Sequence, residues 1–250
     1  MAITIAISGK GGSGKTTLSA MIIRAMIEQS AGSILAVDAD PNSCLALTMG
    51  VEVEGTIAEI REQSRNKKDN DGMDRSRFFE YGIQSIVAEA NGFDLLTMGH
   101  PEGPSCYCAA NNLLRQYVDG LSNSYDFVIL DNEAGMEHLS RRTTNHVDLL
   151  CIVAEPTVIG EVTAKRIAQL VSNLPIEVKQ SGVIWNRADN AIDLDGLKEL
   201  GCIPYDQDLY DTSRQSKTIF DLDKDNPAFM AVKEILAKNL NYKRKSNAST

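Results

Sequence analysis

No apolar run in this sequence approaches the ~18–20 residues that a membrane-spanning helix needs. No leader of basic, apolar and small residues opens it either, since Met1 runs within two residues into a β-branched stretch. A secretory signal is therefore not expected. Positive charge is in deficit: 25 Lys and Arg against 34 Asp and Glu leave a formal net charge of -9. That balance argues against a nucleic-acid partner held by bulk electrostatics. Five cysteines make an odd count in a chain of 250 residues, which fits reduced thiols better than a disulfide framework. Internal repeats and low-complexity linkers are missing. The expectation is one cytoplasmic domain over residues 1–240, followed by a frayed tail at 241–250.

What is present centres on Ser8–Thr17, SGKGGSGKTT. It has the form Gly-x-x-x-x-Gly-Lys-Ser/Thr, with Gly9, Gly14, Lys15 and Thr16 in the fixed positions. Ile3–Ile7 before it reads as a buried strand. Leu18, Met21, Ile22, Ala25 and Met26 after it recur at helical spacing. A glycine loop between strand and helix turns backbone N–H groups onto phosphate oxygens at a helix N-terminus. Gly11, Gly12, Ser13, Gly14, Lys15, Thr16 and Thr17 form the expected ATP cradle. Lys15 supplies charge for the β- and γ-phosphates, and the Thr16 hydroxyl is placed to ligate Mg²⁺.

Further strands follow at Ile34–Val37, Phe93–Met98, Phe127–Leu130, Asp148–Ala154 and Gly182–Trp185. Strands alternating with helices predict an α/β doubly wound, mostly parallel sheet with helices on both faces. Polar residues at strand ends then face the ligand edge of that sheet. Asp131 stands where a carboxylate would hold the Mg²⁺ shell. Asp38-Ala39-Asp40-Pro41-Asn42 either orients water there or is an ordinary turn; spacing alone leaves both open. Asn186 either pairs with a base edge or is a turn residue. Glu59–Arg77 interleaves acids and bases, and is expected to be a solvated insertion of helix and loop.

Cys106 and Cys108 stand two apart after a Gly/Pro loop at Gly99–Pro104. Thiols at a loop–helix junction are placed for deprotonation and metal binding. A closed thiolate site needs about four ligands, and no second Cys pair exists in the chain. His100, Cys44, another group or a second copy of the chain completes the shell, or the two are simply small buried residues. Near the C-terminus, Asn226-Pro227 marks a helix start. Phe229, Val232, Ile235, Leu236 and Leu240 line its apolar face, with Lys243-Arg244-Lys245 beyond. Such a helix suits either a membrane surface or the core of the domain.

GKGGSGKT, with Lys10 straight after the first glycine, resembles the deviant Walker A ATPases. These include the division and partition proteins MinD and ParA and the nitrogenase iron protein. The resemblance implies a homodimer, dependent on nucleotide or metal, in which Lys10 reaches the partner's nucleotide. It also implies that Asp40 positions the attacking water, and that Asn186 and Pro204 contact adenine. DPNSC, GPSCYCAANNLL and EAGMEHLSRRT most resemble the CooC-type accessory ATPases that insert nickel into carbon monoxide dehydrogenase. In that group the Cys-x-Cys pairs of two protomers bind metal, so Cys106 and Cys108 would hold Zn²⁺ or Ni²⁺ between subunits, with carbon monoxide dehydrogenase as client. The segment after Asp131, NEAGME, lacks the cluster-ligating Cys of the iron protein, which demotes a [4Fe–4S] reductase. Membrane or DNA positioning is the alternative.

Overall fold

The computed structural model describes residues 2–66, 75–100, 114–115, 124–132 and 146–240. Its strands are β1 (Ile3–Gly9), β2 (Ile34–Asp38), β3 (Ala88–Ala90), β4 (Phe93–Thr97), β5 (Phe127–Asp131), β6 (His146–Ala154), β7 (Glu177–Asn186) and β8 (Glu199–Ile203). The helices are α1 (Lys15–Glu28), α2 (Cys44–Met49), α3 (Ile57–Asn66), α4 (Arg75–Ile86), α5 (Val158–Asn173), α6 (Gln207–Arg214) and α7 (Pro227–Asn239). A short 3₁₀ turn at Ile219–Asp221 precedes α7.

The strands form one sheet in the order β3-β4-β2-β5-β1-β6-β7-β8. Every pairing is parallel except β3 with β4. The central strands are apolar at consecutive positions because both faces are covered. Along β1, Ile5 and Ile7 enter one core and Ala6 the other. On the first face lie Leu18, Met21 and Ile22 of α1, Leu45 of α2, and Phe229 and Val232 of α7. On the second lie Ile57 and Ile60 of α3, Phe79 and Ile83 of α4, and Ala164 and Ile167 of α5. The chain leaves β1 toward β2 on one side and later fills β6 on the other. The order therefore reverses at β1, which places the loop after it at the switch point of the sheet.

One sequence expectation changes here. The charged stretch around Glu59–Arg77 is not simply a solvated insertion, because Ile60 within it and Ile57, Phe79, Ile83 and Ile86 beside it are buried against the sheet. Its charges mask an apolar stripe at helical spacing. Residues 88–90 and 199–203 add edge strands beyond those expected from the sequence. Of the two readings open for α7, packing in the core holds, since Phe229, Val232, Ile235 and Leu236 all lie in it. The apolar face that membrane binding would use is thus already covered. Asn226 caps this helix as expected, its Oδ1 accepting from Phe229 N at 3.1 Å. No helix among the described residues is long and apolar enough to cross a membrane.

Candidate nucleotide site

The loop from Gly9 to Gly14 joins β1 to α1 at the C-terminal edge of the sheet. Gly14 stands at the N-cap position with φ 95°, and no side chain among the described residues caps the helix. A helix start left without a side-chain cap is a ready anion site, since its first N–H groups have no intrahelical acceptor. The loop is closed on itself by Ser13 N donating to Lys10 O at 3.2 Å. Lys15 is buried to 7% exposure, and its Nζ donates to the Lys10 carbonyl at 3.3 Å. The ammonium is thereby folded over the loop that would hold phosphates. Lys10 itself, with Gly11 and Gly12, is exposed.

Beneath this loop, β5 ends in Asp131, which is 1% exposed. Its Oδ1 accepts from Ser19 Oγ of α1 at 3.0 Å. Among the described residues its Oδ2 has no hydrogen-bond partner. Burial pushes the Asp131 carboxyl up to about 6, against the pull of the Thr16 and Ser19 hydroxyls and the Lys15 charge. An orphaned buried carboxylate oxygen next to a Thr hydroxyl suits a hard divalent cation with oxygen ligands. The residues present thus fit Mg²⁺. Asn132, the next residue, turns to the other side of the strand and donates from Nδ2 to Ile7 O at 2.9 Å.

Asp38 at the end of β2 sits in register with Asp131. It is completely buried, and its carboxyl is pushed up to about 7 by burial first and the neighbouring Asp131 charge second. Asp40 lies two residues on and is half-buried. Its Oδ1 accepts from both Asn42 N, at 2.9 Å, and Asn42 Nδ2, at 2.8 Å. Cys44 is exposed just beyond, at the start of α2.

Two grooves flank the phosphate loop. On one side Gly14 and Thr17 meet Asn186, Pro204, Tyr205 and Asp206. Asn186 and Pro204, far apart in sequence, are brought to one groove beside the loop. Asn186 Nδ2 donates to Ser13 O at 2.8 Å, and its Oδ1 accepts from Arg187 N at 3.1 Å. On the other side, Lys10, Gly11 and Gly12 face Glu155, Thr157 and Gly160. Glu155 pairs with Arg187 across the tips of β6 and β7. Next to this second groove Val158, Ile159 and Val162 are exposed at 77%, 61% and 43%, an apolar cluster beside the exposed lysine.

The structure gathers Lys10 through Thr17, Asp40, Asp131, Asn186 and Pro204 around one loop. Cys106 and Cys108, the segment 133–145 and the tail at 241–250 lie outside the described residues. Sequence reasoning passed over Ser19 and the structural position of Asp38. Ser19 stands one helical turn past Lys15, which is a usable signal. Asp38 becomes notable only when the sheet order sets β2 beside β5.

Against known proteins, the model for the CobQ/CobB/MinD/ParA nucleotide binding domain matches residues 4–219. The chain is 39% identical over 251 residues to an uncharacterized ATP-binding protein of Methanocaldococcus jannaschii, covering 96% of this chain and 99% of that one. It is 29% identical over 238 residues to the carbon monoxide dehydrogenase accessory protein CooC of Rhodospirillum rubrum, covering 87% and 89%. The septum site-determining protein MinD from Pyrococcus horikoshii, complexed with Mg-ADP, shares the fold with a TM-score of 0.70 at 19% identity, over 95% of this chain and 96% of that one. Phosphate loop, sheet order and family match agree, and the chain belongs to the CobQ/CobB/MinD/ParA family of P-loop ATPases.

Proposed function

We propose that this ATPase acts as a nucleotide-switched homodimer that carries a metal ion at Cys106-x-Cys108 and assists nickel insertion into carbon monoxide dehydrogenase. The observation that carries the reading is the Cys-x-Cys pair on the segment leaving β4, in a chain 29% identical to an accessory protein named for that enzyme. Two chains each giving Cys106 and Cys108 make a four-thiolate site, which suits Zn²⁺ or Ni²⁺ as cargo.

In this reading Gly11, Gly12, Ser13, Gly14, Lys15, Thr16 and Thr17 hold ATP. Thr16 and Asp131 would hold Mg²⁺, which would supply neutralisation of phosphate charge. Asp40 orients the attacking water. Asn186 and Pro204 contact the base. Lys10 reaches the partner's nucleotide, which its exposure supports, and the exposed Val158, Ile159 and Val162 offer apolar surface for the same contact. Nucleotide state then sets the separation of the two Cys pairs, and hydrolysis couples to metal release at the client.

The test is metal stoichiometry with oligomeric mass, on wild type and Cys106→Ser/Cys108→Ser, with and without ATP. About one Zn²⁺ or Ni²⁺ per two chains, lost in the variant, is the expected result. No Cys-dependent metal in any nucleotide state would sink the metal reading and return the protein to the positional switch ATPases. ATP binding is expected to survive in the Cys variant, whereas maturation of carbon monoxide dehydrogenase is not.

A further inference from the structure

At the ends of β4, β2 and β5, three polar side chains stand in one register row, Thr97 beside Asp38 beside Asp131. All three are buried, at 1%, 0% and 1% exposure. A carboxylate is a poor choice for stability in the middle of such a row, because burial and a like charge both oppose its ionised form. What Asp38 does with its oxygens gives a reason for its presence. Oδ1 accepts from the backbone N–H of Asp40 at 3.2 Å, and Oδ2 accepts from that of Leu45 at 2.9 Å. The two bonds grip both ends of the loop that carries Asp40.

That loop needs gripping. Ser43 adopts φ 52°, a left-handed conformation that non-glycine residues seldom take without support. Ser43 N donates to Asp40 O at 3.0 Å, and Asn42 turns both of its donors onto Asp40 Oδ1. The Asp40 carboxylate is therefore aimed by a short strained turn whose two ends rest on one buried side chain. The backbone adds a second tie at the same place, with Ala39 N donating to Asp131 O at 2.9 Å. Asp38 thus stands between the strand end that carries Asp131 and the loop that carries Asp40.

We infer that Asp38 is a positioning residue for ATP hydrolysis, fixing through the Asp40 and Leu45 amides the loop that presents Asp40 to the attacking water. The inference rests on the water-orienting role given to Asp40 above. A residue that only capped α2 would act on stability and would leave the turnover of folded protein alone.

The experiment uses the full chain as wild type, Asp38→Asn, Asp38→Ala, Asp40→Ala and Asp38→Asn/Asp40→Ala. For each, kcat and KM for MgATP and the melting temperature are measured. Asparagine keeps one acceptor oxygen and can serve only one of the two amides. Asp38→Asn is expected to lower kcat roughly tenfold to a hundredfold, the scale of a misplaced catalytic group. KM should stay within about threefold, and the melting temperature should not fall, since a like charge beside Asp131 has gone. Asp38→Ala should lose at least as much kcat. In the Asp40→Ala background, Asp38→Asn should cause no further loss, because both changes act on one step.

A wild-type kcat in Asp38→Asn overturns the inference, as does a multiplicative loss in the double variant. A melting temperature that falls in step with kcat overturns it too, by making Asp38 structural. If Asp40→Ala turns over at the wild-type rate, the water-orienting reading fails and takes the inference with it. If Asp40→Ala is slow and Asp38→Asn is not, only the inference falls.

Discussion

Asn186 fastens the end of β7 to the phosphate loop, donating from Nδ2 to the Ser13 carbonyl at 2.8 Å. The side chain expected to meet a base is thus also part of the wall that shapes the phosphate cradle. Asn186→Ala should remove both the tie and the base contact, weakening ATP binding by about tenfold, the worth of one or two hydrogen bonds. Asn186→Asp should bind more weakly still, because a carboxylate both fails to donate to Ser13 O and repels that carbonyl and the phosphates. Equilibrium titration with a fluorescent ATP analogue checks both; equal affinity in the two variants would refute the repulsion argument.

Gly14 and Gly12 make a controlled pair. Both have positive φ, 95° and 78°. A Cβ on Gly14 would run into the Asn186 amide nitrogen, whereas one on Gly12 meets nothing within 4 Å. In the nucleotide-free chain, Gly12→Ala should cost only the left-handed backbone penalty, about 1 kcal/mol of stability. Gly14→Ala should cost about 2–3 kcal/mol, through strain and a displaced Asn186. Thermal melts of the two variants without nucleotide measure the difference, and a Gly12→Ala loss as large as that of Gly14→Ala would contradict it.

The Asp38–Asp131 pair gives the protein without nucleotide and Mg²⁺ a pH dependence. Burial raises the two carboxyls to about 7 and about 6. Between about pH 4 and 7 the folded chain therefore binds more protons than the unfolded one, and stability falls as pH rises through that window. The melting temperature should drop by on the order of 5 °C from pH 5 to pH 8. Asp38→Asn should flatten most of that slope. A slope unchanged in the variant would place its origin elsewhere.

Arg24 of α1 is 3% exposed and holds the 3₁₀ turn before α7. Its Nη1 donates to the carbonyls of Ile219, at 2.7 Å, and Leu222, at 2.8 Å, while its guanidinium lies 4.2 Å from the centre of the Phe229 ring. Arg24→Ala leaves two buried carbonyls without donors, at a cost of about 2–4 kcal/mol. That should lower the melting temperature by roughly 5–10 °C. ATP affinity of the folded fraction should not change, since these residues lie away from the phosphate loop. Thermal melts run beside nucleotide titrations separate the two effects.

The phosphate loop was legible because its chemistry is local: glycines, a lysine and a threonine at fixed spacing between a strand and a helix. The strands at 34–38, 93–97 and 127–131 were legible from β-branched and apolar runs ending in polar residues. What sequence reading missed depends on pairing across the sheet. Asp38 and Asp131 are 93 positions apart and become neighbours only through β2 and β5. The burial of the helices at 57–66 and 75–86 was hidden for a different reason. Their buried isoleucines and Phe79 are diluted by charges that face outward.

Both margins of the sheet are poor templates for further strands. On one side β3 is three residues long, runs against its neighbour and carries Glu89 at its centre. On the other, the β7–β8 pairing is broken by an irregularity at Val183/Ile184, and α7 packs on β8. Short, charged or bulged edges resist intermolecular pairing. Association of two copies by extending the sheet is thereby disfavoured. Among the described residues, both open edges of the sheet are thus guarded against fibre-like aggregation.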